Sequence, residues 1–330
     1  MADHALDDDY DGDIFIYRGG RAPQHITHAI IDDSIDEIDH EAFENCHHLV
    51  QVETHNGLRR IGMCAFRWCR SLRRINLKSV VEIMVQAFAY CVNLEYVEFG
   101  DSLVIIEGNA FLDCDSLTHL NLPSIITIEN HAFCGCTQLT GVELSERLQT
   151  IDEGAFLECD RLQRIAVPPK RDLFEFRMFT ENFEYYGYNQ FDGCVQLTSV
   201  DLVGGIHKTV VLLHMESWRT EMTAEIDRID QVLRNRSRLD NAADLVRQWM
   251  HSVIDKMDNY KAGHNRYVRE GVTLLELALW KAKLGEKEDD CAEGKSKKAK
   301  VDVEGIRKER RVTCGADIVI KNVIPYLKLE

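Results

Sequence analysis

Proline is scarce in this chain, five in 330 residues, and no apolar run approaches the roughly 18 residues a membrane-spanning helix needs. The opening MADHALDDDYDGD has neither a basic stretch nor an apolar one behind it, so it does not read as a secretory signal. Also missing are a P-loop, the dinucleotide-binding glycine pattern, the G-x-S-x-G elbow and the H-E-x-x-H zinc pair. Without them, any acid–base pair would have to be assembled from scattered surface residues. Basic charge is in deficit: 39 Lys and Arg face 55 Asp and Glu, a net −16 that disfavours nucleic-acid binding by the surface as a whole. Residues 1–44 alone hold 13 acids and two bases. The expectation is an intracellular chain, cytoplasmic or nuclear, with no catalytic residues, cofactor, metal or membrane partner. Its eleven cysteines are then expected to be reduced.

What the sequence has in abundance is repetition. EAFENCHHL, CAFRWCRSL, QAFAYCVNL, NAFLDCDSL, HAFCGCTQL, GAFLECDRL and NQFDGCVQL share one pattern. Their phenylalanines are Phe43, Phe66, Phe88, Phe111, Phe133, Phe156 and Phe191, spaced 23, 22, 23, 22, 23 and then 35. A cysteine follows each by three residues, at Cys46, Cys69, Cys91, Cys114, Cys136, Cys159 and Cys194, and a leucine follows by six. Ile38, Ile61, Ile83, Ile106, Ile128 and Ile151 precede the first six phenylalanines by five residues. A period this short with several fixed columns is the signature of a solenoid, in which each repeat stacks on its predecessor.

His131, Cys134 and Cys136 stand close enough together to suggest a metal or redox site. Cys136, however, belongs to the repeat column, whereas Cys134 has no counterpart in other copies. Stacking would set successive thiols about 4.8 Å apart as a ladder of small hydrophobes. The competing reading is a thiolate–metal array, against which stand the apolar Phe, Ile and Leu columns and the lack of a recurring histidine. Asp7, Asp9, Asp11 and Gly12 mimic the start of an EF-hand loop, but its twelfth position is Arg18 where a bidentate Glu is required.

The halves LTHLNLP (117–123) and LQTIDEGAFLEC (148–159) together resemble the BspA-like class of leucine-rich repeats, over about residues 26–203. That resemblance implies an α+β repeat protein: a curved right-handed solenoid of about seven 22–23-residue repeats, with one strand per repeat on the concave side and a second short strand or turn opposite. It also implies a protein-interaction scaffold binding a protein partner through the concave strand face. LHMESWRTEM (213–222) with LLELALWKAKL (274–284) is similar to the tail of a set of diatom leucine-rich repeat proteins, which implies no activity.

Alternation along LRRINL, LEYVEF, LTHLNL and LTGVEL points the fourth and sixth positions inward and the third and fifth outward. The outward third column reads Gln51, Arg74, Tyr96, His119, Gly141, Arg164, Ser199; the fifth reads Glu53, Asn76, Glu98, Asn121, Glu143, Ala166, Asp201. Arg74, Tyr96, Glu98, His119, Asn121, Glu143 and Arg164 are the candidate partner-binding residues. Tyr96 and His119 are the expected centre, and Arg74 and Arg164 are available to acidic groups. A merely solvated face is the plainer reading of each residue taken singly. Two further alternatives stay open: a thiol- or metal-dependent protein using the cysteine ladder, and a nuclear nucleic-acid-associated adaptor.

The boundaries expected are an acidic disordered N-terminus (1–12), a cap and half repeat (13–34), the solenoid (35–205, with an irregular aromatic insertion at 168–190), and a helical module (206–284). Within that module the apolar spacing predicts three helices, over 218–233, 241–260 and 268–284, the last the most buried and the second N-capped by Asp240 or Asn241. Residues 285–311 read as a charged linker whose Lys295, Lys297, Lys298 and Lys300 resemble a nuclear-localisation signal, and 312–330 as a segment docking on the folded part.

Overall fold

The computed structural model describes residues 10–11, 14–174, 189–203, 215–237 and 241–290. It divides into two units, Met1–Ile206 with Arg219–Ile254, and His207–Trp218 with Asp255–Glu330.

In the first unit the chain opens with β1 (Tyr10–Asp11) and β2 (Ile14–Tyr17) and then coils through one rung per repeat. The first strands of the rungs are β3 (His28–Ile31), β5 (Gln51–Glu53), β7 (Arg74–Leu77), β9 (Tyr96–Phe99), β11 (His119–Asn121), β13 (Gly141–Glu143), β15 (Arg164–Val167) and β16 (Ser199–Leu202). The second strands are two-residue pieces: β4 (Glu37–Ile38), β6 (Arg60–Ile61), β8 (Glu82–Ile83), β10 (Ile105–Ile106), β12 (Thr127–Ile128) and β14 (Thr150–Ile151). All rung-to-rung pairing is parallel and advances by one repeat, as in Arg74↔Tyr96 and Ile61↔Ile83. The second strands form one six-stranded sheet, whereas the first strands, with β1 and β2 added at the start, form a six-stranded and a four-stranded sheet that part between β9 and β11. Beside that break Phe99 takes the place that leucine holds at Leu77, Leu122 and Leu144, and its ring meets Phe111 edge-on at 6.0 Å.

Between the strands and filling the coil runs the phenylalanine column. Phe43, Phe66, Phe88, Phe111, Phe133 and Phe156 stack with ring centroids 5.0–5.5 Å apart and planes within 7°. Every one is fully buried. The ladder is closed at one end by buried Tyr17, tilted on Phe43 at 5.0 Å with its hydroxyl oxygen accepting from Asp39 N–H at 3.0 Å. At the other end Phe191 stacks on Phe156 at 5.8 Å and Phe174 meets it edge-on at 5.7 Å. The long spacing before Phe191 therefore leaves the ladder in register.

The turns carrying A-F-x-x-C make a third rung-to-rung ladder. Glu41, Phe43 and Asn45 donate their N–H groups to the carbonyls of Met63, Ala65 and Arg67 at 2.7–2.9 Å, and later rungs repeat the arrangement. Aiming alternate amides at the next rung requires left-handed backbone two residues before and two after the phenylalanine, and ten non-glycine residues adopt it. Such a conformation costs about 1–2 kcal/mol per L-residue, offset here by the bonds it permits. Gly135 meets the requirement at φ +73°, and a Cβ there would fall 2.1 Å from Asp113 Oδ1.

Past β16, helix α1 (Met215–Asn235) buries Met222, Ile229 and Leu233, and α2 (Ala242–Asp290) buries Ala243, Val246, Trp249, Met250 and Val253. Asn241 caps α2, its side-chain oxygen accepting from Ala243 N–H at 2.9 Å. Helix α1 also closes the free edge of the last strand. The Asp230 carboxylate accepts from Val200 N–H at 3.1 Å and from the Ser199 hydroxyl at 3.3 Å, and Arg236 donates to the Leu197 carbonyl at 3.1 Å and to that of Cys194. In the second unit α2 carries the i,i+4 pair Arg266–Glu270 at 3.4 Å.

Four expectations are corrected. The helices expected at 241–260 and 268–284 are one continuous 49-residue helix, because the intervening KAGHNRY contains no proline and a single helical glycine costs only about 1 kcal/mol. The same helix runs through 285–290, expected as linker, since Glu and Lys are good helix formers and no proline interrupts the run. Leu275 and Leu277, in the stretch expected to be most buried, are 42% and 61% exposed: an apolar run buries a helix only where another element packs on it, and among the described residues none covers these two. Tyr10–Asp11, within the expected disordered start, pair antiparallel with β2, whose outer edge otherwise offers free backbone groups. Most of the aromatic insertion (175–188), the Lys295, Lys297, Lys298 and Lys300 cluster and the 312–330 segment lie outside the described residues.

Candidate interaction surface

Strand alternation places the candidates on one face. In β7 and β9 the burial runs exposed, buried, exposed or half-buried along Arg74–Ile75–Asn76 and Tyr96–Val97–Glu98. Because β7 and β9 pair in register, Arg74 stands beside Tyr96, and its guanidinium lies 5.3 Å over the tyrosine ring. Tyr96 is 43% exposed, a large aromatic held open on a sheet. In the fifth column Glu98 pairs with Lys78 at 2.8 Å, and Asn76 accepts from Lys78 N–H at 3.0 Å.

His119 and Asn121 lie on the next rung, across the line where the first-strand ladder divides. His119 Nε2 is 3.2 Å from the Thr140 hydroxyl, and the neighbouring column position is Gly141, where a Cβ would fall 3.5 Å from the His119 ring, so the imidazole lies over the glycine. Farther along, Arg164 lies between Glu143, at 3.3 Å, and Asp201. Those two acids are already met within the chain, so the positive charge that Arg164 offers outward is reduced. Seven candidates share one face but form two groups: one at Arg74, Tyr96, Glu98, His119 and Asn121, whose carboxylate is met by Lys78, and a mutually paired one at Glu143 and Arg164.

The cysteine column does something else. Cys69, Cys91, Cys114, Cys136, Cys159 and Cys194 each donate the thiol to the carbonyl of the phenylalanine one rung back, with S···O distances of 3.1–3.4 Å. That carbonyl already accepts an N–H within its own turn, so the thiol serves its second lone pair. Burial pushes the thiols of Cys46 and Cys91 up to about 11 and 12 and those of Cys69, Cys114, Cys136 and Cys159 well above the usual thiol range. Cys134 is likewise raised by burial, to about 11. Protonated, buried thiols are neither nucleophiles nor metal ligands. Among the described residues no cluster of three or more His, Cys, Asp or Glu could hold a metal ion, and no helix is long and apolar enough to cross a membrane.

The structure also gathers residues that column reading passes over. Trp68 and Tyr90, both at the left-handed position after the phenylalanine, stack at 3.9 Å, and the Arg70 guanidinium lies 4.9 Å over the tryptophan. Their signal in sequence was the recurrence of aromatics at one turn position in consecutive repeats.

Parallel strands advancing one short repeat at a time, with phenylalanine and cysteine columns inside, define a leucine-rich repeat solenoid. The family model of the BspA type leucine rich repeat region matches residues 22–126, 61–182 and 105–210, more than half the sequence, and the chain belongs to that family. Leucine-rich repeat proteins are generally protein-interaction scaffolds. No curated protein matches the chain significantly. Similar solved structures include the T. pallidum leucine-rich repeat protein TpLRR, 24% identical over 57% of this chain and 73% of that one, with a TM-score of 0.38. A leucine-rich repeat protein from Bacteroides ovatus is 21% identical over 58% and 69%, TM-score 0.32. A leucine rich cell surface protein from Faecalibacterium prausnitzii is 18% identical over 55% and 80%, TM-score 0.23.

Proposed function

We propose that this chain is a non-enzymatic scaffold that binds a protein partner on its first-strand face, around Arg74, Tyr96, Glu98, His119 and Asn121. The observation that carries the reading is Tyr96, 43% exposed on a strand and held in place under the Arg74 guanidinium. A rigid aromatic on a polar surface loses little side-chain entropy on binding and supplies a large contact, which is why such residues dominate interfaces. His119, exposed on the next rung and held by the Thr140 hydroxyl at 3.2 Å, adds a second ring to the same face. A thiol-dependent activity draws no support from the cysteine column, whose protons are held on phenylalanine carbonyls.

The test begins with affinity purification to identify the partner and continues with Tyr96→Ala combined with His119→Ala. Each truncation is expected to cost about 2 kcal/mol of binding, on the order of thirtyfold, with no change in melting temperature because neither side chain is in the core. Undiminished capture by the double variant would place the site elsewhere.

A further inference from the structure

Residues 54–81, THNGLRRIGMCAFRWCRSLRRINLKSVV, contain seven of the chain's 39 Lys and Arg and none of its 55 Asp and Glu. In a protein of net charge −16 this stretch carries +7, so the remainder carries −23. It forms a positive belt about one rung wide. Neighbouring rungs neutralise part of it: Arg60 pairs with Glu37 at 2.6 Å, Arg67 with Glu44, Arg73 with Glu95 at 3.2 Å, and Lys78 with Glu98 at 2.8 Å. Arg59 donates to the Ser79 carbonyl at 3.3 Å.

Arg70 and Arg74 are different. Both are exposed, and among the described residues no carboxylate lies within 4.0 Å of either guanidinium. Each is held instead on an aromatic face, Arg70 on Trp68 at 4.9 Å with Tyr90 stacked beyond at 3.9 Å, and Arg74 on Tyr96 at 5.3 Å. A cation–π contact occupies no carboxylate, so the N–H donors of both guanidinium groups remain available for bidentate bonds to an oxyanion. Arg70 sits where the turn enters β7 and Arg74 is the first residue of that strand, so the two are at most about 14 Å apart along the backbone.

We propose that Arg70 and Arg74, seated on Trp68, Tyr90 and Tyr96, hold an acidic segment of a partner protein; this rests on the scaffold reading above and names the partner's chemistry. Carboxylates match the two free guanidinium edges. A nucleic acid fits less well: a polymer with a phosphate every few ångströms would lie across the acidic rungs on either side of the belt, at Glu37, Glu44 and Glu53 and at Glu82, Glu95 and Glu98. A peptide can confine its charge to the one basic rung.

The experiment measures binding to the full chain of a fluorescein-labelled Glu/Asp-rich peptide, its Gln/Asn counterpart and a single-stranded RNA of similar length. The acidic peptide is expected to bind and to weaken as salt rises. Arg70→Gln with Arg74→Gln should weaken it about tenfold or more, whereas Arg161→Gln, an exposed arginine on another rung, should leave it unchanged. Equal affinity for the double variant, or binding of the RNA but not the peptide, would overturn the proposal. So would peptide binding that emerges only when Asp3, Asp7, Asp8, Asp9, Asp11 and Asp13 are changed to Asn, for then the chain's own N-terminal segment is the occupant. A purified partner that depends on Tyr96 and His119 but is indifferent to Arg70→Gln/Arg74→Gln would overturn this inference and leave the scaffold reading standing.

Discussion

Removing a thiol from the cysteine column deletes a hydrogen-bond donor along with a small hydrophobe. Cys91→Ala leaves the Phe66 carbonyl without the donor that sits 3.1 Å away, and a loss of about 1–2 kcal/mol in urea unfolding is expected. The column also sets the alkaline limit of stability. Because burial holds Cys91 at about 12 and Cys46 at about 11, the folded thiols keep protons that unfolded thiols, near 8.5, give up. Above about pH 8.5 the folded state therefore binds more protons than the unfolded one, and stability falls as pH rises, by up to about 1.4 kcal/mol per raised thiol per unit. Melting temperatures should be level through neutrality and drop steeply toward pH 10; a flat profile would mean the thiols are not buried as described. The column itself was legible in the sequence, since recurrence at a fixed offset from phenylalanine needs no structure. Its acceptor was not: that group is a backbone carbonyl, which no side-chain pattern records.

A parallel coil has two open ends, and each is closed by a different element. At the start Tyr17 of β2 covers Phe43, and at the finish Asp230 and Arg236 of the α1 region take the backbone groups that a further rung would have taken. Asp230→Ala should leave the Val200 N–H unpaired and cost about 1–3 kcal/mol, whereas the exposed Asp227→Ala should cost under about 0.5 kcal/mol; equal effects would show that the carboxylate contributes nothing at the edge. The phenylalanine ladder between these ends should be the least tolerant element, Phe111→Ala costing about 3–5 kcal/mol by calorimetry. Strands, ladder and the apolar stripe of α1 followed from periodicity. The join of two expected helices into α2 did not, because a polar stretch without proline is permissive and its state depends on what adjoins it.

Over the whole molecule, charge is sorted by rung: a +7 belt at residues 54–81 within a chain of −16, its acids on adjoining rungs. The outward columns were readable from alternation, and the structure keeps them outward except at Ala166, which is 5% exposed in a strand buried from Ile165 to Val167. What the sequence could not convey is which outward charges are already met. Arg74 rests on a ring and faces solvent, whereas Arg164, identical in column and chemistry, lies between Glu143 and Asp201; the acids in the equivalent positions beside Arg74 are engaged elsewhere, Glu53 by the Gln51 amide at 3.0 Å and Glu98 by Lys78 at 2.8 Å. The division of the sheet between Tyr96 and His119 was equally hidden, for hydrogen-bond ladders leave no mark in composition. Hydrogen exchange with and without the purified partner tests the central claim most directly, by asking which face it covers. Added protection is predicted in the peptides spanning β7, β9 and β11, and protection confined to the second strands or to α1 and α2 would contradict it.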